Sequence, residues 1–197
     1  MTEHFGTTRL TAERLCRRHL ADLIALHLDP EVSRYLGGVR SPAATETWLA
    51  DSIAHWEQHG FGLWALQLHS GEFAGRAGLR HTVLEGVDET EIVFTFKRAL
   101  WGQGLASEIT HALVTLGLLQ LKLPSLIGVV ATANAASRRV LEKSGFALER
   151  SGHYGDNEVV IYRSPPTADI ERSAVRQSSL TETVPNGPKS ASSRSPD

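Results

Sequence analysis

The chain is 197 residues long, 41% hydrophobic and 21% charged, with a formal net charge of −2 at pH 7. That is the composition of an ordinary globular domain, and it excludes the basic excess expected of a nucleic-acid binder or of a protein drawn to an anionic membrane. The single cysteine, Cys16, excludes an intrachain disulfide, and with no run that reads as a secretory leader or a membrane span, a soluble cytoplasmic protein is expected.

Taken in chain order, Thr7 to Leu15 alternates loosely and predicts an edge strand. His19 to Leu28 predicts a short helix, stopped at Asp29-Pro30 because the residue before a proline avoids the helical region. Pro42 to His59 predicts a second helix, with Trp48, Leu49, Ile53 and Trp56 at helical spacing and Gly60 at its end. Phe61 to Leu68 and Phe73 to Val83 read as a hairpin around His69-Ser70-Gly71-Glu72. Glu91 to Phe96 is a strongly β-prone run. Leu105 to Leu121 predicts a long helix, and Pro124 marks its end. Leu126 to Thr132 is rich in β-branched residues and reads as a buried strand. Ser137 to Ser144 predicts a short helix closed by Gly145. Phe146 to Glu149 and Glu158 to Tyr162 complete the strands, with a loop at Ser151 to Asn157. This order predicts an α/β (mixed α+β) domain over residues 8–163, a mixed sheet with helices on both faces. From Ser164 to Asp197 the chain is rich in Ser, Pro and Thr and lacks aromatics, the composition of a disordered tail.

The most informative segment is Trp101-Gly102-Gln103-Gly104-Leu105-Ala106-Ser107-Glu108, between the Glu91–Phe96 strand and the long helix. Two glycines leave one side of the turn bare, so the backbone can approach a phosphate. The first N–H groups of the helix are unpaired and carry the positive end of its dipole. Together these make an anion site without a basic side chain. A tight structural turn would look the same. No Gly-Lys-Ser/Thr follows, so this is not a Walker loop, and the third glycine and acidic residue of a dinucleotide fingerprint are missing.

Further on stands Ala133-Asn134-Ala135-Ala136-Ser137-Arg138-Arg139, running to Ser144-Gly145-Phe146. With the glycine turn, this segment resembles the GNAT superfamily of N-acetyltransferases. The family's cofactor motif is Q/R-x-x-G-x-G/A. Gly104 and Ala106 are its small residues, and Trp101 holds the first place, where Gln or Arg is frequent. Asn134-x-x-Ser137, Gly145-Phe146, Trp101-Gly102-Gln103-Gly104 and Ala106-Ser107-Glu108 are similar to the branch that acetylates ribosomal-protein N-termini, the RimJ/RimL-like enzymes. The resemblance covers residues 8–163 and implies a twisted, mostly antiparallel sheet.

The resemblance also implies a chemistry. Acetyl-CoA is the cosubstrate, no metal is involved, and an amine attacks the thioester directly. The backbone of Gly102, Gln103, Gly104, Leu105, Ala106 and Ser107 holds the pyrophosphate. A backbone N–H of Phe94 or Phe96 polarises the carbonyl. Because an alkylammonium is charged at neutral pH, a base is needed, and Glu91 is the candidate. Glu108 is a rival, although a carboxylate one turn into a helix ordinarily complements the dipole. Many members protonate the leaving thiolate with a tyrosine, where this chain has Leu141. Ser137 takes that role in the similar branch, unless it simply caps its helix. Asn134 bonds the pantetheine arm or holds the turn. Val93, where the branch often has glycine, bears on local strand geometry. The acceptor is a protein N-terminal α-amine or a small-molecule amine, and the protein a monomer or homodimer that binds neither nucleic acid nor membrane.

Other features read as structural. His55 and His59 lie four apart on one helix without a third metal ligand. Trp48, Trp56 and Trp64 suit the core, although the Pro42–His59 helix flanks the acceptor cleft in this family. Cys16 has no activating neighbour, and Arg138-Arg139 serves a phosphate or solvent equally well. The expected acceptor region, from Asp29 to Pro42, the Pro42–His59 helix and Ser151 to Asn157, carries no carboxylate cluster for a polycation. Two other readings stand beside the enzyme: a non-catalytic acyl-CoA sensor, and a turn that binds adenine dinucleotides.

Overall fold

The computed structural model describes residues 2–155 and 157–170. Its strands are β1 (His4–Gly6), β2 (Leu10–Arg14), β3 (Leu63–Leu68), β4 (Phe73–Leu84), β5 (Val87–Phe96), β6 (Ile127–Ala131), β7 (Ala147–Tyr154) and β8 (Asn157–Arg163). They form one sheet in the order β1-β2-β3-β4-β5-β6-β8-β7. Every neighbouring pair is antiparallel except β5 with β6. The mixed, mostly antiparallel sheet expected from the sequence is therefore present.

The helices are α1 (Leu20–Leu28), α2 (Pro30–Ser33), α3 (Pro42–His59), α4 (Leu105–Thr115) and α5 (Ala135–Lys143). Strand alternation divides the packing between the two faces. Leu63, Ala65 and Val93 pack with Leu23, Leu26 and Leu49 of α1 and α3. Ile92, Phe94 and Phe96 pack with Leu105, Ile109 and Leu113 of α4 and Leu141 of α5. No helix among the described residues is long and apolar enough to cross a membrane.

Several boundaries differ from the sequence reading, each for a local reason. Asp29 ends α1 but also starts α2, because its carboxylate accepts from the N–H groups of Glu31 and Val32 and Pro30 suits a first helical turn. The long helix changes form after Thr115. Residues 116–120 are π-helical, and Leu121 N–H reaches back five residues to the Leu116 carbonyl at 2.9 Å. β4 and β5 extend to a two-residue turn at Glu85 (φ +53°) and Gly86 (φ +82°), the positive-φ pair of a type I′ hairpin. Ser151 to Tyr154, expected as loop, is the second half of β7 paired to β8.

Ser164, the first residue of the expected tail, is buried. Its N–H donates to the Leu126 carbonyl at 2.8 Å, and its hydroxyl accepts from Leu126 N–H at 3.0 Å. Ile170 packs against the main core. The rest of that segment, residues 171–197, lies outside the described residues.

Candidate active site

β5 and β6 are joined at one rung, Glu91 opposite Ile127. Beyond it β5 continues to Phe96 and β6 to Ala131 with no further pairing between them among the described residues. The two strands splay, leaving an opening edged by backbone. Lys97 N–H donates to the Ala74 carbonyl on β4 at 2.9 Å. Facing alternates along an antiparallel ladder, so Thr95 and Val93 direct their N–H groups to β4, and Phe94 and Phe96 direct theirs to the opening. The Phe96 carbonyl is already taken by the Trp101 indole N–H at 2.9 Å, which ties the glycine turn to the end of β5.

Gly102 and Gly104 have φ of +76° and +78°, a conformation that side-chain-bearing residues resist. Gly104 is the N-cap of α4, and the first helical bond runs from Glu108 N–H to its carbonyl at 3.1 Å. The N–H groups from Gly102 to Ser107 find no acceptor among the described residues. A row of donors is therefore presented at the positive end of a helix.

Glu108 is not free to act as a base. Its Oε1 accepts from the Thr7 hydroxyl at 2.5 Å and from Arg9 N–H at 2.7 Å, and its Oε2 accepts from Arg9 Nε at 2.7 Å. Burial alone would raise its pKa, but these bonds outweigh burial and hold it below the usual carboxylate range. Arg9 also donates to the Gln103 carbonyl at 2.7 Å. It clamps the turn from 94 residues away in sequence, and nothing in its local context signals that.

At the far end of β6, Asn134 caps α5 by accepting from Ser137 N–H at 3.1 Å. Asn134, not Ser137, is the cap, and the Ser137 hydroxyl makes no hydrogen bond among the described residues. Arg138 is held by the Tyr162 hydroxyl at 3.2 Å and the Thr132 carbonyl at 3.3 Å, while Arg139 is exposed.

Glu91 is 5% exposed. Its Oε2 accepts from Arg80 Nε at 2.8 Å and Nη2 at 2.7 Å, whereas Oε1 has no hydrogen bond among the described residues. Burial raises the Glu91 pKa, and Arg80 opposes this only in part. Arg80 in turn lines a cavity of about 200 Å³ under α3, together with Trp48, Asp51, Ser52, His55 and Leu63.

Trp56 and Trp64 are core residues in edge-to-face contact at 4.9 Å, and Trp48 packs against the α1–α3 core and also lines this cavity. Both His55 ring nitrogens are engaged, Nδ1 with the Phe61 carbonyl at 3.0 Å and Nε2 with His81 N–H at 2.9 Å.

Residues 9–147 match the family described as Acetyltransferase (GNAT) domain. The chain belongs to the GNAT acetyltransferase family. It is 30% identical over 187 residues to an FsC-acetyl coenzyme A-N(2)-transacetylase of Aspergillus fumigatus, covering 89% of this chain and 75% of that one. An acetyltransferase structure from Agrobacterium tumefaciens str. C58 superposes with a TM-score of 0.75 at 26% identity, over 84% of this chain and 95% of that one. The RimL ribosomal L7/L12 alpha-N-protein acetyltransferase, solved with coenzyme A, shares the fold with a TM-score of 0.72 at 22% identity, over 85% of this GNAT chain and all of that one.

Proposed function

We propose that this GNAT protein transfers the acetyl group of acetyl-CoA to a primary amine, on a small molecule or at a protein N-terminus. The observation that carries the reading is the opening between β5 and β6, with the Phe94 and Phe96 N–H groups on its edge and the donor row from Gly102 to Ser107 beside it. The residues fit acetyl-CoA chemically. Free N–H groups at a helix start suit a pyrophosphate, and an unpaired strand edge suits an amide-bearing arm. When bound, acetyl-CoA supplies an activated acetyl thioester.

The chain's own groups divide the remaining work. Phe94 or Phe96 N–H polarises the carbonyl. Glu91 takes the proton of the amine through its free Oε1 as the N–C bond forms and the C–S bond breaks. Ser137 relays a proton to the departing sulfur, its hydroxyl giving one proton as it takes another from solvent water, and Asn134 orders the turn below it. The names of the relatives support the class, since one is an acetyl coenzyme A N(2)-transacetylase and another was solved with coenzyme A.

Calorimetric titration with acetyl-CoA, 3′-dephospho-CoA and NAD tests the reading. Saturable acetyl-CoA binding that needs the pantetheine arm is expected, and Gly104→Val is expected to abolish it. Absence of acetyl-CoA binding overturns the proposal. Binding without CoA release across a broad amine panel leaves a sensor in place of an enzyme.

A further inference from the structure

The face of the sheet under α3 carries a concentration of cations that the transfer reaction does not explain. Arg76 and Arg80 both stand on β4, opposite Thr95 and Glu91, four residues apart and so on the same face, the one toward α1 and α3. Arg76 is 5% exposed. Its Nε donates to His27 Nε2 at 3.3 Å, and its guanidinium carbon lies 4.4 Å from the centre of the Trp48 ring. Its two terminal nitrogens make no hydrogen bond among the described residues. Arg40, from the segment between α2 and α3, approaches the same ring at 5.9 Å. Its Nη2 donates to the Leu36 carbonyl at 3.0 Å, but its Nη1 is buried and has no partner among the described residues.

The charges do not balance. Burial first and then Arg80 lower the proton affinity of Arg40, and burial with Arg40 and Arg80 pushes Arg76 down to about 9, still a cation at neutral pH, whereas Glu91 holds Arg80 above the ordinary arginine value. Glu91 answers only Arg80 with hydrogen bonds. Asp51 lines the adjoining cavity, but it is exposed and forms no ion pair with the three arginines. His27, in contact with Arg76, is held neutral by burial. A guanidinium as buried as that of Arg76, beside a buried and unpaired nitrogen of Arg40, is costly unless an anion joins it. Planar forks with free N–H groups are matched to a carboxylate. The α4 donor row serves anions at the end of β5 and on the opposite packing face, so this cluster is a separate site.

We infer that the acceptor amine also carries a carboxylate, which the Arg40–Arg76 pair grips against Trp48 while Arg80 orients Glu91 toward the amine. The acceptor class is an amino acid, free or ω-amino, rather than a polyamine or a neutral amine. This inference rests on the proposed acetyl transfer for the amine, but the anion site stands on its own geometry.

The test pairs each of a panel of amino acids with its carboxamide, including glycine, β-alanine, 4-aminobutyrate and the common L-amino acids. CoA release is measured alongside saturable change in tryptophan fluorescence, with Trp48→Phe as the control. At least one free acid is expected to exceed its amide by about 100-fold or more in kcat/KM, as for a site whose buried polar groups are left unpaired by the analogue. Arg40→Gln is expected to collapse that ratio toward one and leave acetyl-CoA affinity unchanged. Arg76→Gln is expected to do the same, and Arg40 keeps the test open where the buried substitution does not fold. Amides acetylated as well as acids, or an undiminished ratio in Arg40→Gln, overturns the inference. Saturable response to inorganic phosphate but to no carboxylate also overturns it. Carboxylate binding without acetyl-CoA binding sinks the transfer reading alone, and no response to any acid sinks the site.

Discussion

Glu91 sits on the last rung that β5 and β6 share, where one strand ladder ends and the opening begins. Its two oxygens differ. Oε2 is committed to Arg80, and Oε1 is free. Burial disfavours the carboxylate form, so the group gains a proton above the pH at which an exposed glutamate would. A general base works only when unprotonated, so the rate is expected to fall on the acid side, with a midpoint above the usual carboxylate range. Glu91→Gln is expected to lower kcat by about 100-fold and remove that acid limb, in line with the contribution of a positioned base. Acetyl-CoA affinity by calorimetry should stay as it was. An unchanged pH–rate profile in the variant takes Glu91 out of the mechanism.

At the scale of elements, the site depends on how closely helices meet the sheet. A Cβ placed on Gly128 of β6 would lie 2.4 Å from Leu141 Cδ1 of α5. The missing side chain lets α5 settle on β6, and this fixes where Asn134 and Ser137 stand at the end of that strand. Gly128→Ala is expected to destabilise by about 1–3 kcal/mol through overpacking, read by urea denaturation. If stability is unchanged, Leu141 has room to move and the contact does not position α5. On the other side of the opening the restraint is electrostatic. Arg9 and Thr7, ahead of β2, hold Glu108 and the Gln103 carbonyl, so the N-terminal edge of the sheet steadies the donor row.

For the whole molecule, acid stability reports the buried His27. Its folded pKa lies at about 3, lowered by burial first and then by Arg76 and Arg40. The unfolded histidine titrates near 6.5, so the unfolded chain binds the extra proton between those values. The stabilisation is complete above the unfolded pKa and is lost as pH falls from 6.5 toward 3, at about 1.4 kcal/mol per unit from this group. His27→Gln is expected to flatten the stability–pH curve over that window, measured by denaturant unfolding at several pH values. A slope equal to that of the parent protein assigns the acid sensitivity elsewhere.

Most of the architecture was legible because its signals are local. Helical spacing in Pro42–His59 and the β-prone Glu91–Phe96 run each announce their own element. Short or polar elements did not. β1 has three residues and α2 four, and β7 reads ALERSGHY, an exposed edge without alternation. The glycine turn is visible in adjacent residues, whereas the role proposed for Glu91 rests on the family resemblance and on its place in the strand. Arg9, Arg40 and Arg76 carry no such signal, because each acquires its role through strand register and packing. Arg76 becomes half of a pair only when Arg40 is brought over the same indole from the far side of α2.

The splay of β5 from β6 has a consequence for solubility. An unpaired strand edge invites another chain to add to it, which is the first step of many aggregates. This fold keeps two such edges, facing each other in the middle of its sheet. Flanking strands and the helices on both faces fence them from a second polypeptide, whose side chains need the clearance of a free sheet margin. A slender molecule with amide groups and no side chains does not need it. The protein thus keeps edges open to main-chain-like pairing and still shuts out the partners that would make that pairing dangerous.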